Sequence, residues 1–132
     1  MQPGKAPRSP HRAARRRKSE QRSSLIVHGG TVQGLGTALY EECLYDAQGR
    51  VRNESFEYYH LPSSMDVPTM TVSHQETPSP YTPYGIKGAG EGGRMLTPAI
   101  LSAAIEDALA PYGVRITSLP ISAEQIVAWA NP

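Results

Sequence analysis

Cysteine is almost absent from this chain of 132 residues, with Cys43 its one example. That excludes an internal disulfide framework, and any multi-cysteine metal or iron–sulfur site made by this chain alone. Long apolar runs are missing as well, since no segment reaches the ~18 apolar residues of a membrane span and no apolar h-region of a secretory signal is present. The expected location is the cytoplasm. Ser79 and Ser102 lack the paired-base signature that nucleophilic hydrolysis needs.

Acids are scarce at the start: residues 1–24 hold Glu20 against eight Lys and Arg, a charge of +7, whereas residues 25–132 hold 11 acids against five bases, a charge of −6. The formal net charge of +1 is therefore a cancellation. Affinity for nucleic acid would have to come from the first residues alone, because the remainder is acidic. With three prolines, no apolar periodicity and the run Arg15-Arg16-Arg17-Lys18, residues 1–25 read as a basic, disordered leader. Nucleic acid is not the expected partner.

From Leu25 onward the pattern changes. Val32, Leu35, Leu39 and Cys43 recur at three- and four-residue spacings, which predicts a helix from about Thr31 to Leu44 with glycines on its early faces. Asp46-Ala47-Gln48-Gly49-Arg50 reads as a turn. The aromatic run Ser55–His60 and the alternating run Thr69–His74 predict two strands, and Val114–Ile116 a third, short one. Thr97-Pro98 opens the clearest helix, with Ile100, Leu101, Ala104, Ile105, Ala108 and Leu109 on one stripe, ended by Pro111-Tyr112-Gly113. Ser122-Ala123-Glu124-Gln125 reads as the capped start of a last helix, which carries Trp129 as a packing residue.

Between Pro78 and Gly93, three prolines and five glycines exclude regular structure, and a loop of that length within a compact domain is functional or disordered. Glu91 is the one carboxylate in its stretch Gly85-Ile86-Lys87-Gly88-Ala89-Gly90-Glu91-Gly92-Gly93. It is equally compatible with a solvated turn and with a site. Gly88 to Gly93 satisfies G-x-G-x-x-G, but the proline-rich residues before it contradict the buried strand that a Rossmann unit needs. A second glycine cluster, Gly29 to Gly36, raises the odds of a site, because two glycine-rich backbones leading into helices can embrace a bulky cofactor. His28 has no partner at metal-ligand spacing and reads as structural, and Cys43 as core.

The segments His28-Gly29-Gly30-x-x-Gln33-Gly34-x-Gly36-x-Ala38-Leu39-x-Glu41-Glu42, Phe56-x-x-Tyr59-x-Leu61-Pro62, Glu76-Thr77-Pro78-Ser79-Pro80 and Gly85-Ile86-Lys87-Gly88-x-Gly90-Glu91 occur in order. Together they resemble the C-terminal part of the molybdopterin-binding large subunit of the xanthine dehydrogenase, aldehyde oxidase and aerobic carbon monoxide dehydrogenase family. The resemblance implies an α+β fold over residues 26–132, with helices packed on a small mixed sheet. It further implies a molybdenum hydroxylase that oxidises an aldehyde, an N-heterocycle or a similar electron-poor carbon with oxygen derived from water, or that oxidises carbon monoxide. Glu91 would be the catalytic base; Gly88, Ala89 and Gly90, with Gly29, Gly30, Gln33 and Gly34 on a facing loop, would contact the cofactor.

That cofactor would be molybdenum–molybdopterin in its cytosine dinucleotide form. The partners implied are the remainder of the molybdopterin subunit, iron–sulfur and FAD subunits, and a small-molecule substrate. Leu25-Ile26 stand where the family usually has Gly-Gln, and the likeness stops near residue 26, so a truncated or frameshifted subunit is the expectation. The alternative is a non-catalytic remnant, or a binding module with a basic nucleic-acid-binding tail.

Overall fold

The computed structural model describes residues 10–131. Three helices organise it: α1 over Pro10–Leu39, α2 over Thr97–Ala108 and α3 over Ala123–Ala130. Helix α1 starts far upstream of the predicted Thr31, so the leader expected to be disordered is helical from Pro10 onward; its first nine residues lie outside the described ones. The physical reason lies in Ala, Arg, Lys, Glu and Gln, all strong helix formers, with Pro10 at a position where its missing N–H costs nothing. Once residues 27–38 are packed, extending the helix backwards avoids a new nucleation step.

Helix α1 stops five residues before the predicted Leu44. The Gly36 carbonyl accepts from both Tyr40 and Glu41 amides, 2.9 and 2.8 Å away, which closes the last turn. Beyond it the buried side chain of Asn53 takes over the backbone, accepting from the Leu44 amide at 2.9 Å and donating to the Glu42 carbonyl at 2.6 Å. A buried amide that satisfies two backbone groups competes directly with helix continuation.

Helix α2 packs across α1, and the crossing depends on three glycines. A Cβ on Gly34 would lie 2.6 Å from Thr97 Cβ, one on Gly30 would lie 3.0 Å from the Arg94 amide nitrogen, and one on Gly93 would lie 2.5 Å from the Val27 carbonyl. Gly30 and Gly34 are four residues apart and so share a face; the backbone leading into α2 sits in the notch they make. The Thr31 hydroxyl reaches across the crossing to the Gly93 carbonyl at 3.5 Å, while the Thr31 and Thr97 hydroxyls also donate back within their own segments to the Val27 and Gly93 carbonyls at 2.8 and 2.7 Å.

The small core lies at the other end of α1. Ala38, Leu109 and Ile121 are buried, and the Ile121 amide donates to the Ala38 carbonyl at 2.7 Å, satisfying one of the helix-terminal acceptors. Ser122 opens α3 with a reciprocal capping box to Gln125, as the sequence predicts. Helix α2 also follows the prediction, although Ile100 on its stripe is 61 % exposed.

The expected mixed sheet is not formed among the described residues, where an isolated antiparallel bridge between Tyr45 and Val51 is the β-structure present. Residues 55–59 fold into a turn, with Tyr58 and Tyr59 amides donating to Ser55, and Phe56 points outward at 82 % exposure. Residues 69–74 carry no regular structure and pass α1, where His28 Nε2 approaches the Met70 carbonyl at 3.3 Å. At 114–116 the Ile116 amide is taken by the Glu106 carboxylate at 2.7 Å. Strand propensity is realised only where a neighbour offers a ladder, and each of these runs meets a helix or a side chain instead.

The Asp46 turn forms as expected. Its carboxylate accepts from the Gln48 and Arg50 amides and pairs with the Arg50 guanidinium at 2.8 Å. The Arg50 amide, helped by the guanidinium and the Gln48 amide and opposed by desolvation, holds the Asp46 carboxyl below its ordinary range. A depressed carboxyl adds stability above its ordinary range and loses it as the pH falls through the depressed value. Asp46→Asn should therefore flatten the acid limb of a stability profile followed by circular dichroism between roughly pH 2 and 6. For the helix crossing, Gly34→Ala should destabilise the fold by about 1–3 kcal/mol through overpacking. Gly29→Ala, whose Cβ meets nothing within 4 Å, should be neutral or stabilising in the same denaturation experiment.

Candidate active site

The glycines divide into two groups by what surrounds them. Gly30 and Gly34, read from the sequence as cofactor contacts, are turned into the α1–α2 crossing. The Gly93–Arg94 backbone lies against Gly30, and Arg94 and Thr97 lie against Gly34. Gly29 and Gln33 lie on the exposed side of α1, and the Gln33 side-chain amide makes no hydrogen bond among the described residues.

Gly88, Gly90 and Gly92 are open, with no atom within 4 Å of the position a Cβ would take. Their neighbour Ala89 is exposed, and the amides of Gly88, Ala89 and Gly90 donate no hydrogen bond among the described residues. A run of unpaired backbone donors with no side chains over it suits a ligand rich in acceptor oxygens. Glu91 follows directly. Its side chain is 67 % exposed, and Oε1 lies 3.4 Å from Arg94 Nη1.

Both ends of this arm are fixed. Downstream, the Arg94 and Met95 amides donate to the Glu91 carbonyl at 3.0 and 3.3 Å, and Gly93 and Arg94 are wedged against Val27, Gly30 and Thr31 of α1. Upstream, the Ser79 amide donates to the Gly85 carbonyl at 3.2 Å, the Thr82 hydroxyl to Ile86 at 2.7 Å, and Lys87 Nζ to the Thr77 hydroxyl at 2.7 Å. Gly85 has φ +70°, and a Cβ there would fall 2.6 Å from Pro78 Cβ. Only glycine meets both demands without strain. Tyr84 before it also holds a positive φ of 59°, a conformation that costs a tyrosine energy.

Beside the arm lies an apolar cleft of about 450 Å³, lined by Val32 and Leu35 of α1, Leu96 and Leu101 near α2, and Val67 and Pro68, with Gly92 and Gly93 at its edge. Sequence reasoning did not find this cleft, because its walls are brought together by the helix crossing. It also missed Asn53 and Arg94. Near the end of α1 the Glu41 carboxylate accepts from the Tyr59 hydroxyl at 3.0 Å and pushes that phenol above its usual range.

This geometry supplies an anionic side chain on a rigidly tethered arm, with free backbone donors ahead of it. Glu91 and Arg94 are both exposed enough for solvent to screen their pairing, so its worth is under about 1 kcal/mol. Glu91→Gln should consequently change the denaturation midpoint little, with a stability loss below about 1 kcal/mol.

Comparison with known proteins bears on the family of the chain. A family model described as a molybdopterin cofactor-binding domain matches residues 26–68. The nicotine 6-hydroxylase large subunit of Paenarthrobacter nicotinovorans is 42 % identical over 102 residues, 76 % of this chain and 12 % of that protein. The carbon monoxide dehydrogenase large chain of Hydrogenophaga pseudoflava is 33 % identical over 94 residues, 71 % of this chain and 12 % of that one. The crystal structure of quinoline 2-oxidoreductase from Pseudomonas putida 86 superposes with a TM-score of 0.75 at 40 % identity, covering 80 % of this chain and 13 % of that one. This chain thus spans about an eighth of the length of these relatives.

Proposed function

This chain belongs to the molybdopterin-binding large-subunit family of xanthine dehydrogenase, aldehyde oxidase and carbon monoxide dehydrogenase, of which it carries a partial region, and from that premise we propose that it supplies the general-base segment of a molybdenum hydroxylase. Glu91 on its open arm is the observation that carries this reading. The substrate class is an aldehyde, an N-heterocycle or another electron-poor carbon, or carbon monoxide. The whole enzyme would be a cytoplasmic complex with iron–sulfur and FAD subunits and the remainder of the large subunit.

The residues present fit the cofactor, because an acceptor-rich pterin suits the free amides of Gly88, Ala89 and Gly90. Gly29 and Gln33 offer a second, exposed contact surface on α1. Gly30 and Gly34 contribute indirectly, by letting α2 and the Arg94 backbone approach α1. When bound, molybdenum–molybdopterin, in the cytosine dinucleotide form, supplies a two-electron oxidation whose oxygen comes from water. With that group bound, the Glu91 carboxylate would serve as the general base and hold the proton taken from water.

Exclusion of water around Glu91 needs further protein, since its side chain is largely exposed here. The apolar cleft and the exposed Leu96 and Ile100 offer the remainder of the large subunit a surface to pack upon. Residues 69–74, without regular structure here, would there find the ladder partner needed to build the mixed sheet expected of the family.

Glu91→Gln in the assembled enzyme should lower turnover by about 10²–10⁴-fold, the ordinary worth of general-base catalysis, while molybdenum and pterin content measured by metal analysis and pterin fluorescence stay unchanged. Unchanged turnover in that variant would remove the base assignment.

A further inference from the structure

Lys87 sits four residues ahead of Glu91 and is exposed, yet its ammonium is committed: Nζ donates to the Thr77 hydroxyl at 2.7 Å, across ten residues of chain. Two further ties join the same pair of segments, the Ser79 amide to the Gly85 carbonyl and the close contact of Gly85 with Pro78. Together they close residues 77–87 into a loop pinned at its neck. Every residue between that neck and Glu91 is open: Gly88 and Gly90 have no atom within 4 Å of a Cβ position, and Ala89 is exposed. The direction in which the arm leaves is thus set at the neck.

We propose that Lys87 is a positioning residue for Glu91, acting through Thr77 rather than by touching cofactor or substrate. This rests on the reading of Glu91 as the base. The far end of the arm is already anchored where Gly93 and Arg94 meet α1; three flexible residues anchored at one end only would let the carboxylate sample many placements. Fixing the near end limits that search. The loss of a well-placed reacting group lowers turnover far more than affinity, and a displacement of about 1 Å can cost about 10²-fold.

Two variants interrupt the contact from opposite sides, Lys87→Met and Thr77→Val. In the full chain each should speed hydrogen–deuterium exchange of the amides of residues 85–91, with exchange in α2 unchanged. In the assembled enzyme each should lower kcat by roughly 10- to 100-fold with KM near that of the parent. The double variant should be no worse than the poorer single one, because both remove one contact. Lys87→Arg, which keeps a donor at the end of a long side chain, should restore most of kcat.

A Lys87→Met enzyme that loses activity while Thr77→Val keeps it would overturn the proposal, since the ammonium would then act directly on another group. Unchanged exchange in both single variants would overturn it as well. The two layers of the reading separate cleanly: an active Glu91→Gln enzyme defeats the base assignment itself. An inactive Glu91→Gln enzyme beside fully active Lys87→Met and Thr77→Val enzymes defeats only the positioning role.

Discussion

The crossing of α1 by the start of α2 is the constraint on which the rest of this structure depends. Gly30 and Gly34 bring two backbones to within the reach of single atoms, and Gly93 answers them from the other side. Close packing of this kind gains dispersion contacts that are individually tiny and collectively large, and it leaves no room for even one methyl group. Because Gly93 and Arg94 are held there, the position of Glu91 two residues earlier is held too. The apolar cleft follows from the same crossing, since α1 and α2 form two of its walls.

Glu91 therefore stands between a fixed backbone and an open one. Open glycines give a ligand access to backbone donors, but they impose a conformational-entropy cost when the arm is ordered. The hydrogen bonds of residues 77–87 reduce that cost by restricting where the arm begins. The strained backbone of Tyr84 belongs to the same neck, and strain of that sort persists only where the surroundings over-determine it. Restriction at both ends with freedom in the middle suits the role proposed for Glu91, a base that would meet a bulky cofactor and still hold its aim.

Legibility in the sequence varied with the range of the forces involved. Helix α2 and the Ser122–Gln125 box were readable because capping and 3.6-residue periodicity act within one or two turns. The stop of α1 was not, because Asn53 reaches back from nine and eleven residues away. The strands predicted at 55–60 and 69–74 failed for a similar reason: aromatic and alternating residues favour a pleated surface, but a strand exists only beside another. Helical residues 10–24 were hidden by their charge, although each side chain there except Pro10 and the serines is compatible with a helix already nucleated downstream.

The sequence by itself determined the chemistry on offer: a single carboxylate set among glycines, a lysine ahead of it, and spacings that match a molybdopterin-binding subunit. Local rules and the resemblance sufficed for that, because residue identity and order carry it. Which glycines stay open and which are packed against another backbone was decided only by the tertiary structure. Gly29 and Gly30 are adjacent in the chain, yet the ~100° rotation per residue of a helix turns one outward and the other onto the Gly93–Arg94 backbone. Likewise, the pairing of Lys87 with Thr77 depends on a loop that closes in three dimensions, and no short-range pattern specifies which residues will meet at its neck.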